Sequence, residues 1–453
     1  MKRILMRAAM SPFDNFSVQH TIMHNTIGTN SGNLIFQYSV CKTLMTGHDT
    51  VIDTLNTGRP YFTEDEIAAI NENYDLFVIP LANAFRFRYQ TELECLAGLV
   101  NGLKIPCVVI GVGLEAPLHA KKADKYPFDA AAKHFIKSVL NKSAMIGLRG
   151  EMTADYLSNL GFQAQRDFTV IGCPSMFMFG NALPPLREKK PLTRESMICY
   201  NHKPGSPKNY LSFIDRCRDE LPNHYFIAQV MNDLNLLYAG VPWPGKKPDT
   251  KGGYPYSISH ELLIQNRVRM FTNVPSWLAF LGQAQLSFGR RIHGSIAAVL
   301  AGTPSFIFAP DARVFELAQY HNIPHMLMKG VTRKTSIIEL YETTDFTVMH
   351  QQHNKKFEHY SAFLSKNGLE HVYDGKRNYD TLPFDEKIAS IDFRGSVGSV
   401  YKKKPQILAQ RLEFGYAQLS ETNARLEQAL ATTNLMQTIR RLLINLYKKH
   451  RKP

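Results

Sequence analysis

The residues best suited to chemistry lie in QLSFGRRIHGSIAAVLAGTPSFIFAPDARVFEL, residues 285–317. An apolar run ending at Phe288-Gly289 reads as a buried strand, and SIAAVLAG then runs at helical spacing to a stop at Gly302. Between them stand Arg290, Arg291 and His293, on a turn from the carboxyl end of a strand to the amino end of a helix. Open α/β sheets bind ligands at that edge, and helix amino termini attract anions. A second strand, Pro304 to Ala309, delivers Asp311 and Arg313 to the same edge. Arginine grips phosphate or carboxylate through paired hydrogen bonds, and histidine exchanges a proton near neutral pH. The plain alternative is a strand-to-helix corner whose arginines face water.

Three further strand ends carry similar signals. Thr29-Asn30-Ser31-Gly32-Asn33 is a small-polar loop opening a helix, and its amides can bind an anion. Gly111-Val112-Gly113 ends an apolar strand but lacks the spacing and the following helix of a dinucleotide fingerprint. Gly147-Leu148-Arg149-Gly150-Glu151 brings Arg149 off a strand just before a helix, with Glu151 placed to favour the helix dipole rather than to catalyse. Two arginines and a histidine converging from separate halves would clamp a small dianionic or trianionic substrate. No GxSxG, HExxH, Walker loop or DxD pair is present.

The elements that must position these residues alternate strand and helix. The expected pieces of the first half are a short strand at 21–25, the helix LIFQYSVCKTLM, a strand at 49–55 and a helix capped by Thr63. Buried strands at 74–83 and 105–113 follow, then a strand, turn and helix over 143–161. LPPLREKKPLTRES, residues 183–196, reads as a linker, after which the alternation restarts through SMICYN, HYFIAQV and VRMFTN. The expected class is α/β, with two Rossmann-like doubly wound domains, 1–182 and 197–330, facing a cleft, and a C-terminal helical tail. Residues 331–404 form an extension of mixed signals, and 405–453 a basic amphipathic helical tail. The Gly/Pro-rich loop 238–259 is long enough to be functional or mobile.

Over roughly residues 20–330 the chain resembles the polysaccharide pyruvyl transferase family. The segments that carry the likeness are TNSGNLIFQYSVCKTL, DLFVIPLAN, IPCVVIGVGLE, AMIGLRGEMTADYLSNLG, VIGCPSMF and RRIHGSIAAVLAGTPSFIFAPDARVFELAQYHNIP. The resemblance implies two Rossmann-type domains in the glycosyltransferase-B manner, with phosphoenolpyruvate bound between them as co-substrate and no other cofactor or metal. It implies that Arg149 and Arg291 hold the phosphate and carboxylate, with His293 beside the reacting carbon as the acid. Gly32, Asn33, Gly113, Ser175, Arg290 and Arg313 are the further candidates for substrate contact. Where the family loop usually ends Gly-Asp, this chain has Gly32-Asn33, and an asparagine cannot serve as a base. The acceptor would be an oligosaccharide or a lipid-linked sugar of a cell-surface polysaccharide. The competing expectations are a sugar-nucleotide-dependent glycosyltransferase on the same architecture and a non-catalytic subunit of a polysaccharide-assembly complex. For His293 the bland role is a corner imidazole that orients the arginine.

Composition narrows the setting. The net charge is +14, but residues 401–453 hold eleven Lys or Arg against three Asp or Glu, eight of those fourteen charges. The body is therefore only mildly basic, and no nucleic-acid partner is expected. Cysteines 41, 95, 107, 173, 199 and 217 are scattered without a CxxC pair, as in a cytoplasmic protein with reduced thiols. MKRILMRAAM lacks the long apolar core of a signal peptide. In the tail, Tyr416, Leu419, Leu426 and Leu430 sit at heptad-like positions. Leu435, Ile439, Leu442 and Leu446 form a second stripe before a basic end. Such a helix fits either an anionic membrane surface or the catalytic body itself.

Overall fold

The computed structural model describes residues 2–117, 124–247, 252–401 and 403–449, with side chains through Ala431. Two parallel sheets organise it. The first has the order β2-β1-β3-β4, from β1 (Arg3–Arg7), β2 (Val51–Leu55), β3 (Leu76–Pro80) and β4 (Cys107–Ile110). A pair of strands, β5 (Ile146–Leu148) and β6 (Phe168–Val170), continues it, since Gly111 N donates to Gly147 O at 2.9 Å and Val112 bridges Leu148. All of β3 and β4 is buried, as expected of strands covered on both faces.

The second sheet has six strands in the order β12-β11-β10-β7-β8-β9. They are β7 (Ile198–Asn201), β8 (His224–Ile227), β9 (Val268–Arg269), β10 (Leu286–Gly289), β11 (Ser305–Ala309) and β12 (His325–Leu327). Phe288 pairs in register with Tyr200 on one side and Phe306 on the other. Because every pairing is parallel, the strands of each sheet release their loops at one edge. The α/β class and the helical carboxyl-terminal region are those expected.

Two local expectations fail. Residues 21–25 are not a strand: Val18–His24 is a helix, with Ser17 Oγ accepting from His20 N at 3.1 Å. The strand that opens the chain is β1, in the sheet interior, where Ile4, Leu5 and Met6 are almost fully buried. Three apolar residues between arginines are too short a run to show a period. VRMFTN likewise holds only a two-residue strand, because Met270 leaves the sheet to pair with Val397.

Beyond residue 331 the chain turns back onto the first half. In the helix Val348–Lys366, Tyr360 stacks on Phe177 at 4.9 Å, and His353 Nε2 donates to Gly180 O at 2.9 Å. Val372 N donates to Thr43 O at 2.9 Å, and Lys42 pairs with Asp385 at 2.8 Å. The chain then recrosses, Arg394 O accepting from Asn273 and Ser276 of the second half at 2.7 and 2.8 Å.

The last helix is Pro405–Lys449. Its start packs on the helix Met231–Ala239: Arg411 lies over the Tyr238 ring at 4.5 Å and Phe414 meets its edge. A Cβ on Gly415 would lie 2.8 Å from Ala239 O, so glycine allows the close approach. Farther along, Tyr416, Leu419, Leu426 and Leu430 are exposed. The 435–446 stripe lies beyond the described side chains. No described helix is long and apolar enough to cross a membrane.

Candidate active site where the sheet edges meet

On the second sheet, β10 ends at Gly289 beside Asn201, the last residue of β7. Asn201 anchors the corner that follows: its Oδ1 accepts from Arg291 N at 2.8 Å, and its carbonyl accepts from Arg290 N at 3.2 Å. Arg291 is thereby set as the N-cap of the helix Ile292–Leu300, and its Nε donates to His202 O at 3.1 Å. Arg290 takes the other direction. It is nearly buried, and its Nη1 donates to Ser206 Oγ at 2.9 Å. On the next strand end, Asp311 caps the helix Ala312–Tyr320 by accepting from Val314 N at 3.0 Å, and it pairs with Arg313 at 3.5 Å.

On the first sheet, β5 delivers Arg149 into the interior, where the residue is only 1% exposed. Its amide donates to Val112 O at 2.9 Å and its Nε to Gly111 O at 3.0 Å. The guanidinium carbon lies 5.2 Å from the centroid of the Phe36 ring, a cation–π distance. The Gly-Val-Gly turn now has a physical reason. Gly111 has φ +78°, and a Cβ on Gly113 would press on Arg149 Cδ at 3.0 Å.

The two edges meet at one contact, Arg149 Nη2 to His293 Nε2 at 3.3 Å. A guanidinium only donates, so Nε2 is the acceptor and the imidazole proton sits on Nδ1. Burial, with the positive charges of Arg149 and Arg313, holds the His293 pKa well below its ordinary value, so the ring is neutral at pH 7. Cys173 Sγ lies 3.9 Å from the same nitrogen. Gly32 closes the other side: a Cβ there would lie 2.7 Å from His293 Nδ1. Its loop is tied to the second sheet, since Ser31 N donates to Gln229 O at 2.9 Å and Met231 N to Thr29 O at 3.2 Å.

Seven of the nine expected site residues fall into two groups. Arg149, His293, Gly32 and Gly113 share one cluster, and Arg291, Arg290 and Arg313 occupy the adjoining edge of the second sheet. Asn33 turns away, its Nδ2 donating to Gly28 O at 2.9 Å and so bracing its own loop. Ser175 is fully buried, and none of the described groups pairs with its hydroxyl. Four neighbours escaped the sequence. Phe36 and Cys173 sit in apolar runs that read only as core. Asn201, a polar residue closing a strand, was the one visible signal. Glu316 belongs to an amphipathic helix, where a lone acid reads as solvated. It is instead buried, which pushes its carboxyl up to about 7 despite hydrogen bonds from Thr153 and Met152 that pull the other way. No cluster of three metal-ligating side chains occurs among the described residues.

The family model described as polysaccharide pyruvyl transferase matches residues 38–312, more than half of the chain. No curated protein matches. Among solved structures, the UDP-GlcNAc 2-epimerase of Neisseria meningitidis bound to UDP-GlcNAc is similar at 10% identity and TM-score 0.43, covering 81% of this chain and 100% of that one. The UDP-GlcNAc 2-epimerase of Methanocaldococcus jannaschii in complex with UDP-GlcNAc and UDP gives 11% identity and TM-score 0.41, with 81% and 99% covered.

The packing of Gly32 against His293 yields a direct check. Gly32→Ala forces a methyl into the imidazole and should cost about 1–3 kcal/mol in denaturant unfolding, as overpacking does. Gly98→Ala is the control, because a Cβ there meets nothing within 4 Å and the position is helical. It should leave stability equal or raise it by about 0.5–1 kcal/mol. Equal stability of the two variants would mean that the 29–33 loop yields freely.

Proposed function

Because the chain belongs to the polysaccharide pyruvyl transferase family, we propose that it moves the pyruvyl group of phosphoenolpyruvate onto two hydroxyls of one sugar in a cell-surface polysaccharide or its precursor. The product is a cyclic ketal, and phosphate leaves. The observation that most supports this is the contact of a buried guanidinium and a neutral imidazole from opposite sheets, beside three further arginines. Phosphoenolpyruvate carries up to three negative charges on a small frame, which suits such a clamp. Arg149 and Arg291 would take its phosphate and carboxylate, with Arg290 and Arg313 adding positive field.

The chemistry balances through one imidazole. His293, once protonated, gives its proton to the methylene carbon, and positive charge develops at the adjacent carbon. A sugar hydroxyl attacks that carbon and returns its proton to His293. The carbon–oxygen bond to phosphate breaks, the second hydroxyl closes the ketal, and its proton departs on phosphate. Asn33 takes no part as a base, since its amide is spent on the loop carbonyls.

His293 is neutral in the resting site, so the substrate must supply the reason for it to charge. Burial depresses the imidazole most, and an anion beside Arg149 and Arg313 offsets the two charges that add to it. Phosphoenolpyruvate binding should therefore take up as much as about one proton near pH 7, and affinity should rise as pH falls. Calorimetry in buffers of different ionisation enthalpy reads the uptake, and His293→Asn corrects for the ligand's own titration. Equal uptake by both proteins would remove His293 as the acid.

Arg149→Ala and Arg291→Ala should each raise the Michaelis constant for phosphoenolpyruvate about thirtyfold or more. His293→Asn should lower turnover about a hundredfold. Both are read by phosphate release with an oligosaccharide acceptor. Release of a nucleoside diphosphate from a sugar nucleotide, with phosphoenolpyruvate untouched, would transfer the protein to the glycosyltransferase alternative.

The tail we assign to attachment at an anionic membrane surface. Its leucines at 419, 426 and 430 are exposed, and it ends in a run of Lys and Arg, each adding about 1 kcal/mol near such a surface. Full-length protein should float with anionic vesicles, while protein truncated after Lys404 should not. Equal partitioning of the two would refute the attachment.

A further inference from the structure

Glu316 stands in the Ala312–Tyr320 helix, in the second half of the molecule, yet its carboxylate caps a helix of the first half. Oε2 accepts from Met152 N at 3.0 Å and from Thr153 N at 3.4 Å, and Oε1 accepts from Thr153 Oγ1 at 3.1 Å. Those are first-turn groups of the helix Glu151–Asn159, whose own N-cap residue, Gly150, has no side chain to offer. Gly150 also makes the room: a Cβ there would lie 2.5 Å from Glu316 Oε2. Thr153 Oγ1 accepts in turn from Leu114 N at 3.0 Å, one residue past Gly113. One carboxylate therefore holds the segments on both sides of Arg149, the Gly111–Gly113 turn and the helix that begins two residues after it.

Burying a carboxylate is costly unless hydrogen bonds to its charged form offset the loss of water. Glu316 is 6% exposed, and an amino-terminal helix turn, the place where negative charge is favoured, offsets only part of that burial, which still holds the carboxyl up to about 7. Its reach depends on closure, because the donors and the acceptor belong to different halves. We propose that Glu316 is a positioning residue: it caps the Glu151–Asn159 helix across the cleft and so fixes Arg149 against His293 when the halves are closed. This rests on assigning Arg149 to phosphoenolpyruvate, and the test separates the two.

Glu316→Ala should weaken phosphoenolpyruvate binding about tenfold, the scale of a lost helix cap, measured by calorimetry on the full chain. In an Arg149→Ala background the same substitution should change affinity less than about twofold, because its route to the ligand is gone. Glu316→Gln, which keeps an acceptor for the two amides and guards against a fold lost to Ala, should recover most of the affinity. Additive losses in the two backgrounds, or an Ala variant with wild-type affinity, overturn the proposal. Hydrogen exchange gives the independent arm: the Met152 and Thr153 amides should exchange faster in Glu316→Ala and near wild-type rates in Glu316→Gln. If the wild type binds no phosphoenolpyruvate, the substrate assignment falls alone. The cap is then judged by exchange, and unchanged exchange rejects it.

Discussion

A positive charge with almost no access to water sets the terms for the rest of the site. Removing a guanidinium from water costs several kcal/mol, which only well-aimed partners can offset. Arg149 finds them in Gly111 O, the Phe36 face and the lone pair of His293 Nε2. Each partner constrains something else. The carbonyl demands the tight turn at 111–113, and the ring fixes the helix that follows the 29–33 loop. The imidazole must come from the other sheet. The interdomain arrangement is thus written into the solvation of one side chain.

The halves are held together both near the site and away from it. Near the site the ties are polar: the 29–31 loop on Gln229 and Met231, Arg149 on His293, Glu316 on the 151–159 helix. Away from it residues 331–400 add aromatic contacts, Tyr360 on Phe177 and Phe384 against Tyr38, beside the polar ties of Lys42 with Asp385 and of Arg394 O with Asn273 and Ser276. Apolar burial is strong and undirected, whereas hydrogen bonds exchange readily with water. Residues 331–400 therefore act as the lasting strap, and the cleft itself is closed by contacts that a substrate or solvent can replace.

What the sequence discloses follows from how local each signal is. Arg149 and the Arg290-Arg291-Ile292-His293 corner are legible because strand, glycine and helix start lie within a few residues of one another. The two sheets are legible for the same reason, and the family likeness ties them together. Asn33 misleads, since its type suits a ligand but its amide serves Gly28 O. Phe36, Cys173 and Glu316 are invisible because their roles exist only through contacts spanning more than a hundred residues of chain. β1 is hidden by its shortness, and the 348–366 helix by the fact that its partners come from the opposite end of the sequence.

The neutral state of His293 also orders events on the proposed reaction path. Before an anion arrives, the imidazole faces two guanidinium fields and holds no transferable proton on Nε2. A sugar entering first would meet a site unable to start the chemistry, and water would meet the same. Once phosphate and carboxylate neutralise the arginines, the same low dielectric that suppressed the charge strengthens its attraction to the ligand. The donor thereby arms the acid that consumes it. Glu316 belongs to this balance from the other side. Burial lowers the Arg149 pKa, and the Glu316 carboxylate opposes part of that shift from across the interface while its hydrogen bonds go to Met152 and Thr153. It orients the arginine through the peptide chain and leaves the guanidinium positive charge available to the substrate.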